Sequence, residues 1–208
     1  MKIAVSYLSS NNYLECINKI NESNADYVHV DLCDGKYVNT KNFEIKDTIK
    51  LLNNSKKPLN IHLMVANPKK IIKYFKKLNI ESITIHNIKN ADKILKYLKK
   101  KGYKCGIALN PNESIDNIRK YLNLIDELLI MSVIPGKGGQ GFIDSTLTKI
   151  DEINNIKDNY HFITAIDGGI NNETIKLLKN KGIDLVISGS YIVNSIDYNE
   201  AIDEIKKI

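Results

Sequence analysis

His29 and Asp31 stand two residues apart in the stretch Asp26-Tyr-Val-His-Val-Asp-Leu-Cys-Asp-Gly35, which is rich in Val and ends on a glycine turn. Successive side chains of a strand point to opposite faces, so His29, Asp31 and Cys33 share one face, while Val28, Val30 and Leu32 share the other. An imidazole and a carboxylate on one face can bind a metal ion or transfer protons. A carboxylate buried without a partner or a metal is costly, so other parts of the chain must bring groups to the same place. Ser6, His62, His86 and Asp167 stand at the ends of other strand-like stretches. His29, Asp31, His62 and Asp167 together are two imidazoles and two carboxylates, a donor set that suits one divalent ion: Zn²⁺, Fe²⁺, Mn²⁺ or Co²⁺.

Such a cluster needs strands that converge. Residues 2–8, 26–32, 59–65, 81–86, 103–109, 127–133, 161–166 and 184–188 read as strands. Helices are expected over 11–23, with Leu14, Ile17 and Ile20 on one side, and over 45–54, from Asn67-Pro68 to about 78, 91–101, 114–122, 145–157 and 171–181, and from about 197. Strands alternating with helices imply parallel βαβ units, and eight in series give the (β/α)8 TIM barrel, here one compact domain over residues 1–208. A doubly wound sheet is the alternative. In a barrel the chemistry belongs at the C-terminal ends of the strands, which is where these polar residues lie.

Glycines form a second signal. Pro135-Gly-Lys-Gly-Gly139, Asp167-Gly-Gly169 and Ser188-Gly-Ser190 follow strands six, seven and eight. Glycine lets backbone N–H groups approach an anion closely, and barrels often bind phosphate on the loops after strands seven and eight with a short helix, here Ser190 to Asn194.

The 208 residues are 43% hydrophobic and carry a net charge of +6. Disorder and membrane spans are not expected, and the strand-like N-terminus has no signal-peptide core, so a cytoplasmic protein is expected. Lysines are spread over the outer faces of helices, which argues for a solvated surface without nucleic-acid partners. The three cysteines, Cys16, Cys33 and Cys105, are widely spaced and match neither a disulfide framework nor a structural zinc site. Cys16 and Cys105 read as packing residues, as do Met64 and Met131 by default, and His161 as structural or surface.

Seven motifs resemble the ribulose-phosphate 3-epimerase family, in the family's order and over nearly the whole chain: Ser6-Tyr-Leu-Ser9, Val28 to Gly35, Ile61-His-Leu-Met64, Ala108-Leu-Asn-Pro111, Pro135 to Gln140, Ile166-Asp-Gly-Gly169 and Val186 to Ser190. The resemblance implies a metal-binding isomerase of the pentose phosphate pathway, which epimerises C3 of a sugar phosphate. It implies that His29, Asp31, His62 and Asp167 hold the divalent metal, usually zinc or iron, and that Asp31 and Asp167 are the acid–base pair. Ser6 and His62 would contact substrate. Gly136, Lys137, Gly138 and Gly139, with Asp167, Gly168, Gly169, Gly189 and Ser190, would bind the substrate and its phosphate. The family's assembly as homo-oligomers extends to this chain only as an expectation. His86 matches a family histidine outside the metal set.

The chain departs from the family at Cys33, Lys36-Tyr-Val-Asn39, Lys137 and Ala165. Cys33 matches a family methionine, which assigns it to the pocket wall rather than to the metal. The departures leave open a related ketohexose 6-phosphate, such as allulose 6-phosphate, as substrate. Two further readings are a metal-dependent hydrolase, for which no second ligand cluster is visible, and a phosphosugar-binding protein without turnover, which would not need two matched carboxylates.

Overall fold

The structure is a computed structural model that describes residues 1–207. Eight parallel strands close into a barrel in sequence order: β1 Lys2–Ser6, β2 Tyr27–Cys33, β3 Leu59–Met64, β4 Ile80–His86, β5 Lys104–Leu109, β6 Glu127–Met131, β7 Ile163–Asp167 and β8 Leu185–Ser188. The α-helices are α1 Tyr13–Glu22, α2 Ile45–Leu52, α3 Lys69–Ile72, α4 Ala91–Lys100, α5 Thr146–Lys157, α6 Ser190–Val193 and α7 Tyr198–Lys206. The expected barrel is therefore the observed one.

Strand alternation divides the core in two. Outward-facing Val28, Val30, Ile61, Leu63, Ile83, Ile85 and Ile107 join the helices in one large apolar cluster. A smaller cluster contains Ala4, Tyr27, Ala108, Leu129, Met131, Ala165, Leu185 and Ile187 and fills part of the barrel interior. The remainder of the interior is polar: His29, Asn60, His62, Ser82, Thr84 and Glu127 are all buried.

Several expected helices are shorter or tighter. In place of one helix over 114–122 there are two 3₁₀ turns, Ile115–Asn117 and Arg119–Tyr121. The expected helix over 171–181 is a 3₁₀ segment, Thr174–Leu178, and α3 passes after one turn into i→i−3 bonds such as Phe75 N to Ile72 O. The cause is apolar spacing. Ile115, Ile118 and Tyr121 are buried at intervals of three, as are Ile175 and Leu178, and Ile72 and Phe75. A 3₁₀ helix stacks i on i+3, whereas an α-helix would rotate that stripe away from the barrel. In α1 the buried side is Cys16, Ile17 and Ile20, and Leu14 is 46% exposed. Leu14 lies about 120° from Ile20 around an α-helix, too far to share its stripe.

Register sets the level of the chemistry. Asp31 pairs with His62 across β2 and β3, and Met131 with Asp167 across β6 and β7. On β5 the inward position at the level of Thr84 and Glu127 is Gly106. A Cβ there would lie 2.2 Å from Thr84 Oγ1 and 2.9 Å from the Glu127 carbonyl oxygen. Gly106→Ala should therefore cost about 1–3 kcal/mol by overpacking. Thermal unfolding followed by circular dichroism should show a melting temperature lower by about 2–4 °C per kcal/mol. An unchanged value would mean that β5 can move away without cost.

Candidate metal and active site

β2, β3 and β7 place His29, Asp31, His62 and Asp167 together at the C-terminal end of the barrel. One ligand atom from each lies within 4.8 Å of all the others. His29 Nε2 is 3.2 Å from Asp31 Oδ1 and 3.9 Å from Asp167 Oδ2. His62 Nδ1 is 3.0 Å from Asp31 Oδ1 and 3.8 Å from Asp167 Oδ2. Tetrahedral bonds of ~2.1 Å leave ligand atoms roughly 3.4 Å apart, a spacing that the four separations straddle. The far nitrogens of both rings are already engaged: His29 Nδ1 meets Asn60 Oδ1 at 2.5 Å, and His62 Nε2 meets His86 Nε2 at 2.8 Å. These contacts fix both imidazoles with their remaining nitrogen toward the cluster, as metal-binding histidines require. The donor set and its spacing fit a single divalent ion.

The two carboxylates have different surroundings. Asp31 accepts from Ser6 Oγ at 2.8 Å, and its other oxygen faces both imidazoles. Burial opposes its charge, but His29, then His62, overcome this and hold Asp31 well below the usual carboxylate range. Asp167 has a side chain 16% exposed at the mouth. Burial, then repulsion from Asp31, push it up to about 6 against the opposing pull of the two histidines. His29 is fully buried, which disfavours its charge, yet Asp31 and then Asp167 outweigh this and raise it to about 9. Burial, then His62, lower His86 well below the ordinary histidine value.

Above the cluster, one cavity is lined by Ser6, Asp31, Gly136, Lys137, Gly138, Gly139, Asp167, Gly168, Gly169, Gly189 and Ser190. Every residue expected to meet substrate thus borders it except His62, which is fully buried beneath. Gly168 has φ +122°, and a Cβ there would lie 2.4 Å from Val133 Cγ2, so the turn after β7 needs glycine for both conformation and space. Met64 and Met131, expected to be core, also border the cavity.

Cys33 does not stand in the pocket wall as expected. It is fully buried, with Sγ 3.8 Å from Sδ of Met64, its register partner on β3, and it is Met64 that borders the cavity. Cys16 and Cys105 are buried and unpaired, and His161 is exposed, as expected. The loop after β2 is held by Asp34, whose carboxylate accepts from the backbone of Lys36, Tyr37 and Ala66. It places the Tyr37 ring 4.6 Å from the His86 ring.

Sequence reasoning missed the polar groups below the site. Asn60, Ser82, Thr84 and Glu127 connect to His29 through hydrogen bonds. A sequence signal existed: Asn60 shares a strand face with His62, and Ser82 and Thr84 share one with His86. Among the described residues no helix is long and apolar enough to cross a membrane.

A closed parallel barrel with a His/Asp cluster and a glycine-lined cavity at its mouth defines a barrel enzyme with a candidate metal centre. The match of residues 2–193 to the family described as "Ribulose-phosphate 3 epimerase family" narrows the class: the chain belongs to that family and is an isomerase of its kind. A curated relative from Helicobacter pylori, "Ribulose-phosphate 3-epimerase", is 36% identical, covering 100% of this chain and 98% of the relative. One of the same name from Bacillus subtilis is 30% identical over 91% and 90%. The solved 3-hexulose-6-phosphate synthase from Salmonella typhimurium shares the fold, with TM-score 0.69 at 16% identity over 100% of this chain and 97% of that one.

Metal affinity should depend on pH in a stated direction. Ligation needs an unprotonated nitrogen on each imidazole and competes with protons for the carboxylates, each of which keeps a second oxygen for a proton. With His29 raised to about 9 and Asp167 to about 6 in the metal-free site, binding at pH 7 displaces the His29 proton. Zn²⁺ affinity should rise with pH up to about 9, and most steeply below about 6, where Asp167 also gives up a proton. Chelator competition across that range measures the slope, and a flat profile would contradict the assignment of these ligands.

Proposed function

We propose that the chain interconverts D-ribulose 5-phosphate and D-xylulose 5-phosphate by metal-dependent epimerisation at C3. The observation that carries this reading is the carboxylate pair: Asp31 and Asp167 border the same cavity, and their environments displace their proton affinities in opposite directions. The relatives named ribulose-phosphate 3-epimerase support the pentulose over a ketohexose 6-phosphate.

Epimerisation next to a ketone removes a proton from one face of C3 and returns one to the other. Asp31, ionised and held by Ser6, takes the proton. Asp167, which carries a proton at the start, delivers it to the opposite face of the planar enediolate; Asp31 is left protonated and Asp167 ionised, which is the starting state of the reverse direction. His29, Asp31, His62 and Asp167 would hold the divalent ion, with zinc the leading choice. When bound, it supplies Lewis-acid stabilisation of the negative charge that develops in the cavity. The glycine-rich turns after β6, β7 and β8 line the rest of the cavity, where backbone N–H groups and the Lys137 side chain would take the phosphate. The Ser6 hydroxyl stands where it can pass from Asp31 to a substrate oxygen.

The metal-loaded enzyme should exchange the C3 proton of ribulose 5-phosphate with deuterium from solvent and prefer pentulose over hexulose phosphate in kcat/KM. Asp167→Asn should lower exchange by about 10²–10⁴-fold. Exchange in the variant close to that of the unaltered enzyme would remove Asp167 from the acid–base pair, and a preference for hexulose would reassign the substrate.

A further inference from the structure

A carboxylate lies inside the barrel below the cluster, on the first residue of β6. Glu127 is 2% exposed. Its Oε1 accepts from Thr84 Oγ1 at 2.9 Å, and its Oε2 accepts from Ser82 Oγ at 2.8 Å and from Asn60 Nδ2 at 3.0 Å. Asn60 Nδ2 also donates to Ser82 Oγ at 2.7 Å. Donors from two strands, β3 and β4, thus converge on one buried group of β6 that touches neither the cavity nor the metal cluster.

The consequence follows from what each group can donate. A carboxylate anion accepts hydrogen bonds and never donates them. The Ser82 hydroxyl commits its proton to Glu127 and can therefore only accept from Asn60. Both neighbours at that end of the Asn60 amide demand its NH₂, so its carbonyl oxygen must point the other way, to His29 Nδ1. An acceptor at 2.5 Å requires a proton on Nδ1, and this leaves the lone pair of the neutral ring on Nε2, the nitrogen that faces Asp31 and Asp167.

We infer that Glu127 is a positioning residue for the metal site: acting through the Asn60 amide, it fixes the tautomer and direction of His29 and so raises the affinity of the site for a divalent ion. The inference rests on the reading of His29 as a ligand. Neutral hydroxyl or amide groups in place of Glu127 would leave Asn60 free to turn either edge to the ring.

The test compares Glu127→Gln, Asn60→Ala and the double variant with the unaltered protein. Zn²⁺ dissociation constants come from chelator competition. The ring N–H signals of the Zn²⁺-loaded protein come from ¹⁵N–¹H spectroscopy, in which His29 Nδ1–H should exchange slowly with solvent. Glu127→Gln should lose that signal's protection and bind Zn²⁺ about 10- to 100-fold more weakly. Asn60→Ala should do the same, and the double variant should be no worse than Asn60→Ala alone, because the two residues act in series. Glu127→Gln with unaltered affinity and an unaltered His29 signal would overturn the inference, as would losses that multiply in the double variant. Should Glu127→Gln fail to fold, Asn60→Ala carries the test, and unaltered affinity there overturns it equally. Failure of the unaltered protein to take up Zn²⁺ would sink the metal-site reading itself, and this inference with it.

Discussion

The pairing of Asp31 with the two imidazoles is the interaction on which the site depends. A carboxylate with 6% of its side chain exposed is tolerable only because His29 Nε2 and His62 Nδ1 lie within 3.2 Å and Ser6 donates to its other oxygen. That one contact set requires β2 to carry two inward groups at the right spacing, β3 to pair in a register that puts His62 opposite Asp31, and β1 to end on a hydroxyl. It also shapes Asp167: with Asp31 already satisfied, the second carboxylate finds no side-chain donor of its own among the described residues and meets repulsion instead. Two chemically identical groups become unlike through their neighbours.

Much of this was legible in the sequence, because a strand has a period of two. His29 and Asp31, and Ser6, His62 and Asp167 at other strand ends, could be placed on inward faces from alternation alone. The glycine-rich turns could be placed at the mouth from their position after strands six to eight. Elements built on a period of three were not readable in the same way. Ile115, Ile118 and Tyr121 satisfy an α-helical template loosely and a 3₁₀ template well, and only packing against the closed barrel decides between them.

Two further shortfalls have a different cause. Parity grouped Cys33 with His29 and Asp31 but could not show that Met64, its register partner, borders the cavity in its place. The link between Asn60 and Glu127 joins residues 67 positions apart. Asn60 shares a face with His62, but Glu127 does not look unusual in its own strand, since a Glu that opens a strand normally stands at the solvent-facing rim. What makes it interior is the inclination of the strands, which brings the beginning of β6 level with the middle of β3 and β4.

The buried position of Glu127 also bears on how the barrel assembles. Its three partners arrive on β3 and β4, and β5 separates them from it in the chain. A partial barrel that packs β6 before those strands are in place would hold a carboxylate in an apolar interior with nothing to bind, a cost of several kcal/mol. A half-barrel ending at β4 would in turn leave Asn60, Ser82 and Thr84 without their acceptor. The polar interior thus acts as a lock on assembly: strands three to six gain their full stability together, and incomplete barrels are penalised at the spot where the finished one pairs every one of these groups.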